Sequence, residues 1–147
     1  MGGDIIREYD DMTRGTFQSV ECAKQLVSFE GMVYRGRSGA MSVTPTDIDG
    51  LIQLDAENCV VLFELKHHGG MPDGQKQAYV KLCDAVEKGG MHCIIINAVH
   101  NTETPNIIMA KNAIVNEYYH RGQWFYRDDD IKLSTVINKY LTWAKEH

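Results

Sequence analysis

Polar residues that could do chemistry are concentrated in two short segments, residues 45–50 and residues 64–66. If residues 59–66 form a strand, Glu64 and Lys66 lie two positions apart and point to the same face of a sheet. They follow an apolar run, where burying a carboxylate and an ammonium costs free energy unless the two are paired or bind a metal. A strand over residues 48–54 places Asp49, and Asp47 just before it, on one face. A hairpin between the two strands would bring Asp49 close to Glu64.

Converging carboxylates beside a lysine suit metal-assisted hydrolysis. Carboxylate oxygens are ligands that Mg²⁺ prefers, and a neighbouring ammonium can orient or activate an attacking water. Taken alone, Glu64 and Lys66 fit a solvated ion pair at a strand end equally well. The acidic segment before them and the apolar strand leading into them favour the metal site. Glu64, Leu65 and Lys66 form an acid-x-lysine tripeptide, and the chain holds a second one at residues 130–132. A helix start explains that second tripeptide, and another helix start explains the Pro-Asp pair at residues 72–73.

The elements that must position these residues follow from the spacing of apolar side chains. Helical spacing predicts helices over residues 16–30 and 73–88, the second capped by Asp73, and a C-terminal helix opened by the acidic residues 128–130. Apolar runs predict strands, and the breaks between them predict a loop at 37–45, a turn at 55–58 and a hairpin over 118–126. The predicted strands cover residues 32–35, 48–54, 59–66, 93–98, 107–109 and 113–119. We therefore predict one α/β domain over residues 1–147, with a central mixed β-sheet flanked by helices and a C-terminal hairpin and helix.

The order of these elements resembles that of the PD-(D/E)xK nuclease superfamily. It consists of a helix with Glu21, a strand with Asp49, a strand with Glu64 and Lys66, and a further helix. Within that superfamily it is similar to the Holliday-junction-resolvase-like branch, which carries a glutamate in its first helix. Residues 69–75 and the helix after them resemble the glutamine-bearing helix of phage and prophage nucleases. The resemblance covers residues 15–100 and implies a restriction-endonuclease-like core, whereas the C-terminal hairpin and helix match no family pattern.

The resemblance implies a division of labour in a Mg²⁺-dependent nuclease, with Mn²⁺ able to substitute. Asp49 and Glu64, with the main-chain carbonyl of Leu65, would bind the cation. Lys66 would position the attacking water and stabilise developing charge, and Glu21 would orient the lysine or the water. The reaction would be in-line attack on a phosphodiester bond. The implied partner is DNA, cut by an endonuclease of phage or prophage recombination. A resolvase of this type would act as a symmetric homodimer.

Two aspartates compete for the role of metal ligand. Pro45 lies two residues before Asp47 and four before Asp49, and both aspartates share one strand face, so side-chain parity does not separate them. We choose Asp49 because resolvase-like relatives place the ligand after a hydrophobic residue inside the strand, as Ile48 precedes Asp49. Asp49 is also nearer, in hairpin register, to Glu64. Asp47 remains the alternative ligand or a supporting loop residue.

Gln75 is a further candidate for the site. It precedes three apolar residues at helical spacing, Ala78, Leu82 and Ala85, and we predict from this face that Gln75 points inward where the chain has just left Lys66. The alternative is an amide that caps a loop carbonyl.

Histidine and aromatic residues provide weaker candidates. His67 and His68 adjoin Lys66 and suit either phosphate contact or a solvated loop, and His100 is more typical of a structural histidine. The aromatic cluster of the predicted hairpin could stack on bases, but packing on the core is the favoured interpretation. This aromatic cluster consists of Tyr118, Tyr119, Trp124, Phe125 and Tyr126.

Composition limits the class of protein without deciding its partner. The 147 residues are 44% hydrophobic and 24% charged, which suits one globular domain, and no apolar run approaches the roughly 20 residues that span a bilayer. No secretion signal is visible, and the cysteines at positions 22, 59, 83 and 93 form no CxxC pair. We expect reduced thiols in a cytoplasmic protein, bacterial or phage-encoded. The net charge of −5 counts against nucleic-acid binding but does not exclude it, since a nuclease site concentrates carboxylates.

Two other functions remain open on sequence alone. A non-catalytic nucleic-acid-binding module could retain a nuclease-like fold, but it would not need a complete set of Asp49, Glu64 and Lys66. A metal-dependent hydrolase of small nucleotides would use the same residues. A narrow closed pocket around them would favour that alternative.

Overall fold

A computed structural model describes residues 28, 30–35, 42–43, 45–103 and 106–147 of the chain. The chain divides into two compact units, residues 1–45 and residues 46–147. In the first unit, strand β1 (Tyr34–Arg35) pairs antiparallel with strand β2 (Ser42–Val43). The loop predicted over 37–45 was therefore wrong at Ser42–Val43, because glycine and serine favour loops yet do not prevent a short pairing. The predicted helix with Glu21 lies outside the described residues, apart from Ser28 and Glu30.

The second unit is built on one five-stranded sheet. Its strands lie in chain order, with β4 and β5 parallel and every other neighbouring pair antiparallel. A mixed sheet with one helix packed on each face confirms the predicted fold class. The elements are β3 (Gly50–Leu54), β4 (Cys59–Lys66), α1 (Asp73–Lys88), β5 (His92–Val99), a 3₁₀ turn (Ala110–Asn112), β6 (Ile114–His120), β7 (Gln123–Tyr126) and α2 (Leu133–Glu146).

Strands β4 and β5 are central and covered on both faces, as their continuous apolar sequence predicts. Alternate residues point to α1 on one face and to α2 on the other. Cys59, Cys83 and Cys93 are buried free thiols, and Cys22 lies outside the described residues. The α1 face buries Val60, Leu62, Met71, Tyr79, Cys83, Cys93, Ile95 and Tyr119.

The first residues of both described helices have roles other than the predicted ones. Helix α1 has the predicted range, but Pro72 is its cap residue and Asp73 is its first helical residue, with no side-chain cap bond. Helix α2 begins at Leu133, beyond the acidic residues 128–130, so their role as its first turn was wrong. The segment before α2 runs beside β6, where Ile131 accepts a hydrogen bond from the Val115 amide and thereby delays the helix.

The segment between β5 and β6 holds no strand at residues 107–109, contrary to the prediction. These apolar residues are exposed and precede the 3₁₀ turn instead. The β-branched side chains of Ile107 and Ile108 suit a strand, but none of the described strands pairs with this segment.

The predicted hairpin is present between β6 and β7. Arg121 and Gly122, at its turn, both have positive φ, as a two-residue type I′ turn requires. The aromatic cluster packs mainly against the protein. Tyr119 is buried, Tyr118 stacks on Phe125, and Tyr126 alone of the five is exposed. Packing on the core was therefore the better interpretation of these residues.

None of the helices in the described part of the chain is long and apolar enough to cross a membrane.

Candidate metal and catalytic site

The hairpin of β3 and β4 brings the first two candidate residues together. Gly50 pairs with Phe63, so the same register continued by one residue places Asp49 opposite Glu64. The Asp49 amide donates to Glu64 Oε2 at 3.4 Å, and the Leu65 amide donates to Asp49 Oδ2 at 2.8 Å. A Cβ on Gly50 would lie 2.0 Å from the Phe63 ring, so only glycine fits at the position after Asp49. The predicted approach of Asp49 to Glu64 is confirmed.

Three carboxylates converge at this end of the sheet. Oxygen atoms of Asp47, Asp49 and Glu64 all lie within 4.8 Å of one another. Glu64 is buried, with 2% of its surface exposed, whereas Asp47 and Asp49 are exposed residues. An all-oxygen, carboxylate-rich donor set of this kind fits a hard divalent cation such as Mg²⁺.

The carboxylate of Asp49 is turned inward although the residue as a whole is exposed. It points at the Leu65 amide and lies beside Glu64, and its partial burial raises the pKa of Asp49 above the ordinary value. The neighbouring charges of Glu64 and Asp47 raise this pKa further, against the lowering effect of the Leu65 hydrogen bond. A cation would relieve the repulsion that these like charges cause.

Lys66 lies on the same strand face as Glu64, as predicted from their spacing. Its Nζ is 3.6 Å from Glu64 Oε1, and 27% of its side chain is exposed. The ammonium is therefore held beside the carboxylate cluster while it stays accessible from solvent.

Helix α1 fixes the Glu64 carboxylate from above the sheet. Gln75 Nε2 donates to Glu64 Oε1 at 2.9 Å, and the Tyr79 hydroxyl donates to Glu64 Oε2. Burial, and then the bond to Glu64, raise the pKa of Tyr79, so its hydroxyl keeps its proton and remains a donor. Gln75 points inward as predicted, and its partner is a carboxylate and not a loop carbonyl.

The helical face predicted for Gln75 was nevertheless wrong. Ala78, Leu82 and Ala85 are exposed, and the buried residues of α1 are Tyr79 and Cys83. Tyr79 and Cys83 lie four and eight positions after Gln75. Residues four apart share a helix face just as residues three apart do, so Gln75 lies on the same face as these two. Tyr79 was missed for this reason. The signal was a tyrosine one helical turn after a glutamine.

Polar residues on the next two strands hold the loop that leads into α1. Asn97, opposite Glu64 in the parallel register, donates to the Gly69 carbonyl at 3.2 Å, and Asn116 donates to the same carbonyl at 2.9 Å. Glu117 accepts a hydrogen bond from the Met71 amide at 3.3 Å. None of these was predicted, although an asparagine inside the apolar run of β5 was a visible signal.

The Glu117 carboxylate also anchors the start of α1 directly. Lys76 Nζ lies 3.2 Å from Glu117 Oε1 and 4.6 Å from the centre of the Trp124 ring. A Cβ on Gly70 would lie 2.8 Å from Glu117 Oε2, so a larger residue at this position would force that carboxylate to move. These contacts position Gln75 and Tyr79 over Glu64.

The histidines lie beside the site without joining the carboxylate cluster. His67 and His68 are exposed, and His67 Nε2 is 3.4 Å from Glu103 Oε1. The His100 amide donates to the Lys66 carbonyl, and its ring Nδ1 accepts from the Thr102 amide. His100 thus has the structural role expected of it.

Of the predicted site residues, the structure brings together Asp47, Asp49, Glu64, Lys66 and Gln75. Glu21 lies outside the described residues. No protein-family model, curated protein or solved structure matches the chain.

Proposed function

We propose that this protein is a divalent-metal-dependent nuclease that hydrolyses phosphodiester bonds in DNA. The observation that carries the proposal is the cluster of Asp47, Asp49 and Glu64 oxygens within 4.8 Å, with the Lys66 ammonium 3.6 Å from Glu64. Close like charges at the end of a buried strand cost free energy, and a folded chain keeps such an arrangement where it serves binding or chemistry.

Asp49 and Glu64 are the residues that would hold the cation, with Asp47 and the Leu65 carbonyl as further oxygen donors. A bound Mg²⁺ or Mn²⁺ would supply Lewis-acid charge that polarises the scissile phosphate. Mg²⁺ is the proposed ion because the donors are all oxygen and no histidine or cysteine of the described residues joins the cluster.

Lys66 is proposed to act on the reacting groups. An ammonium has three N–H donors, and its ion pair with Glu64 leaves capacity for a water or a phosphate oxygen on the exposed side. There Lys66 would orient the attacking water and stabilise the charge that develops on the phosphate.

Gln75 and Tyr79 are proposed to act through Glu64. A carboxylate oxygen can accept more than one hydrogen bond, so bonds from α1 fix the orientation of Glu64 and leave lone pairs for a cation. Hydrogen bonds that orient a ligand in this way commonly change metal affinity or activity by about 10- to 100-fold.

The openness of the site favours a polymer over a small nucleotide. Asp47 and Asp49 are exposed residues directly before the edge strand β3, so this edge of the site is open to a long substrate. The net charge of −5 makes DNA binding depend on the cation, since the exposed acids otherwise repel phosphate. Endonuclease activity in phage-type recombination remains the biological role that the sequence resemblance implies.

The test is cleavage of four DNAs by the purified protein: supercoiled plasmid, linear duplex, single strand and four-way junction. Each is incubated with Mg²⁺, with Mn²⁺ and with EDTA. We expect cleavage of at least one DNA in both metals and none in EDTA. Nicking of the plasmid identifies an endonuclease, and preference for the junction, with a dimer in sedimentation, identifies a resolvase. Hydrolysis of nucleoside triphosphates without cleavage of any DNA would contradict the proposal.

A further inference from the structure

Tyr126 is the one member of the aromatic cluster that the fold leaves open to solvent. It is 68% exposed, more than any other large hydrophobic residue that the structure describes. The other four members contact one another, since Tyr118 stacks on Phe125 and the Tyr119 ring lies 5.3 Å from that of Trp124. None of the described aromatic rings stacks on Tyr126. Its ring is therefore accessible to a ligand.

The register of the sheet places Tyr126 in line with the candidate nuclease site. Glu64 pairs with Asn97, and Asn97 pairs with Glu117. Glu117 in turn pairs with Tyr126, so one row of paired residues crosses four strands. At about 4.8 Å for each strand, Tyr126 lies about 14 Å from Glu64. In a stacked nucleic-acid strand, which rises about 3.4 Å for each nucleotide, this distance corresponds to about four nucleotides.

Two consecutive residues of α1 connect the nuclease site with this ring. Gln75 donates to Glu64 on β4, and the next residue, Lys76, reaches across to β6 and β7. Lys76 Nζ lies 3.2 Å from Glu117 Oε1 and 5.6 Å from the centre of the Tyr126 ring. This cation–π contact holds the tyrosine on the sheet face that α1 covers. Tyr126 and the carboxylate cluster therefore lie on either side of the first turns of α1, on one face of the sheet.

We propose that Tyr126 stacks on an unpaired base of the DNA substrate, about four nucleotides from the bond that is cut. In an intact duplex, neighbouring bases cover both faces of every internal base, so a tyrosine on the protein surface has access only to a base in a single-stranded segment. The substrate class is therefore DNA with a single-stranded segment beside the cut. Negative supercoiling opens such segments transiently in a plasmid.

Stacking also suits the charge of this protein. The net charge is −5, and contact with the face of a base needs no basic side chain, whereas contact with a phosphate ordinarily does. The inference rests on the proposed nuclease function, because that function supplies the DNA and the position of the cut.

The test is a titration of single-stranded DNA that carries one 2-aminopurine, a base whose fluorescence falls when an aromatic ring stacks on it. The cut made by the wild type is mapped first, and the label is then placed in turn at successive positions on both sides of it. The titrated protein carries Lys66→Ala, so that it binds the DNA without cutting it. We expect quenching to be greatest about four nucleotides from the cut and to disappear when Tyr126→Leu is added.

Matched variants at this one position separate stacking from a general effect on binding. Tyr126→Leu should raise the dissociation constant for single-stranded DNA at least about fivefold, as loss of one base stack does. Tyr126→Phe keeps the ring and should bind as the parent protein does. The dissociation constant for a long linear duplex should be the same in all three proteins. Equal melting temperatures show that the fold is unchanged, as expected for an exposed side chain.

The outcomes distinguish this inference from the nuclease proposal. An unchanged dissociation constant in Tyr126→Leu, or an equal increase for single strand and duplex, would overturn the stacking role, while cleavage by the wild type would leave the nuclease proposal intact. Quenching that depends on Tyr126, without cleavage of any DNA by the wild type, would support the base contact and contradict the nuclease. Failure to bind any of the DNAs would overturn both.

Discussion

The chain carries two tripeptides of the same acid-x-lysine type in very different surroundings. In Glu64-Leu65-Lys66 the acid is 2% exposed, Asp49 lies beside it at the start of the paired strand β3, and α1 supplies two hydrogen bonds to the carboxylate. In Asp130-Ile131-Lys132 the acid and the lysine are exposed, and Asp130 has a φ of 53° in the segment before α2. The difference shows that the tripeptide itself carries little information. A carboxylate on the paired strand and a helix that orients the acid make the first one a candidate site.

The largest effect expected from this comparison is on the acid. Glu64→Gln should eliminate metal-dependent DNA cleavage, a loss of well over about a hundredfold, since it removes the central carboxylate of the cluster. Asp130→Asn, the same change in the other tripeptide, should leave the rate unchanged. Initial rates of plasmid nicking in Mg²⁺ measure both. Equal loss in the two variants would show that surroundings do not distinguish the tripeptides.

The second prediction separates the two aspartates of the first site. Asp49→Asn should eliminate Mg²⁺-dependent cleavage, because Asp49 is held by the Leu65 amide beside Glu64. Asp47→Asn should weaken it by only about tenfold, as expected of a supporting residue. The same nicking assay, with Mg²⁺ varied, gives both values. A crystal structure with Mn²⁺ held by Asp47 and Glu64, with Asp49 turned away, would reverse the assignment.

A third, smaller effect tests the role of α1. Tyr79→Phe should lower cleavage by about 10- to 100-fold through misorientation of Glu64. Tyr119→Phe is the matched control, since Tyr119 is also buried and donates to a carboxylate, that of Asp84, on the same helix. Both variants should lose about 1–3 kcal/mol of stability, so thermal unfolding checks that stability alone does not explain the difference. A rate in Tyr79→Phe equal to that in Tyr119→Phe would remove the positioning role.

The smallest effect concerns stability without metal. Burial and nearby carboxylates raise the pKa of Asp49 above 3.8, so its ionisation destabilises the fold. The stabilising contribution of protonated Asp49 is complete below the unfolded pKa and is lost as pH rises through the raised folded pKa. Asp49→Asn should therefore be more stable than wild type near pH 7 in EDTA, by about 0.5–2 kcal/mol.

Urea unfolding at pH 3.5 and pH 7 measures this difference. The advantage of Asp49→Asn should shrink at the lower pH and disappear in saturating Mg²⁺, which stabilises only the wild type. An advantage that does not change with pH would show that charge repulsion at Asp49 is not its cause.

Much of the fold could be predicted because its central elements have strong local patterns. The apolar runs of β4 and β5 and the helix Asp73–Lys88 appear in the structure almost as predicted. The start of α2 could not be predicted, because it depends on pairing of the preceding segment with β6, a contact distant in sequence. The exposed segment at 107–109 was mistaken for a strand because composition does not show whether a partner strand is present.

The candidate site was predictable only where strand geometry determines it. The alternation of side chains along a strand and the register of the β3–β4 hairpin place Asp49, Glu64 and Lys66 together. Both the alternation and the register depend on local sequence. The supporting contacts from Asn97, Asn116 and Glu117 to the loop before α1 depend on register across three strands and on a bulge in β6. Such contacts cannot be inferred from spacing along the chain.

The most direct test of the central claim is DNA cleavage by Lys66→Ala compared with Lys132→Ala, under single-turnover conditions in saturating Mg²⁺. Both lysines end an acid-x-lysine tripeptide, but only Lys66 lies beside the carboxylate cluster. We predict that Lys66→Ala binds DNA as wild type does and fails to cleave it, and that Lys132→Ala cleaves at the wild-type rate. Cleavage by Lys66→Ala at the wild-type rate would contradict the assignment of this site as the nuclease centre.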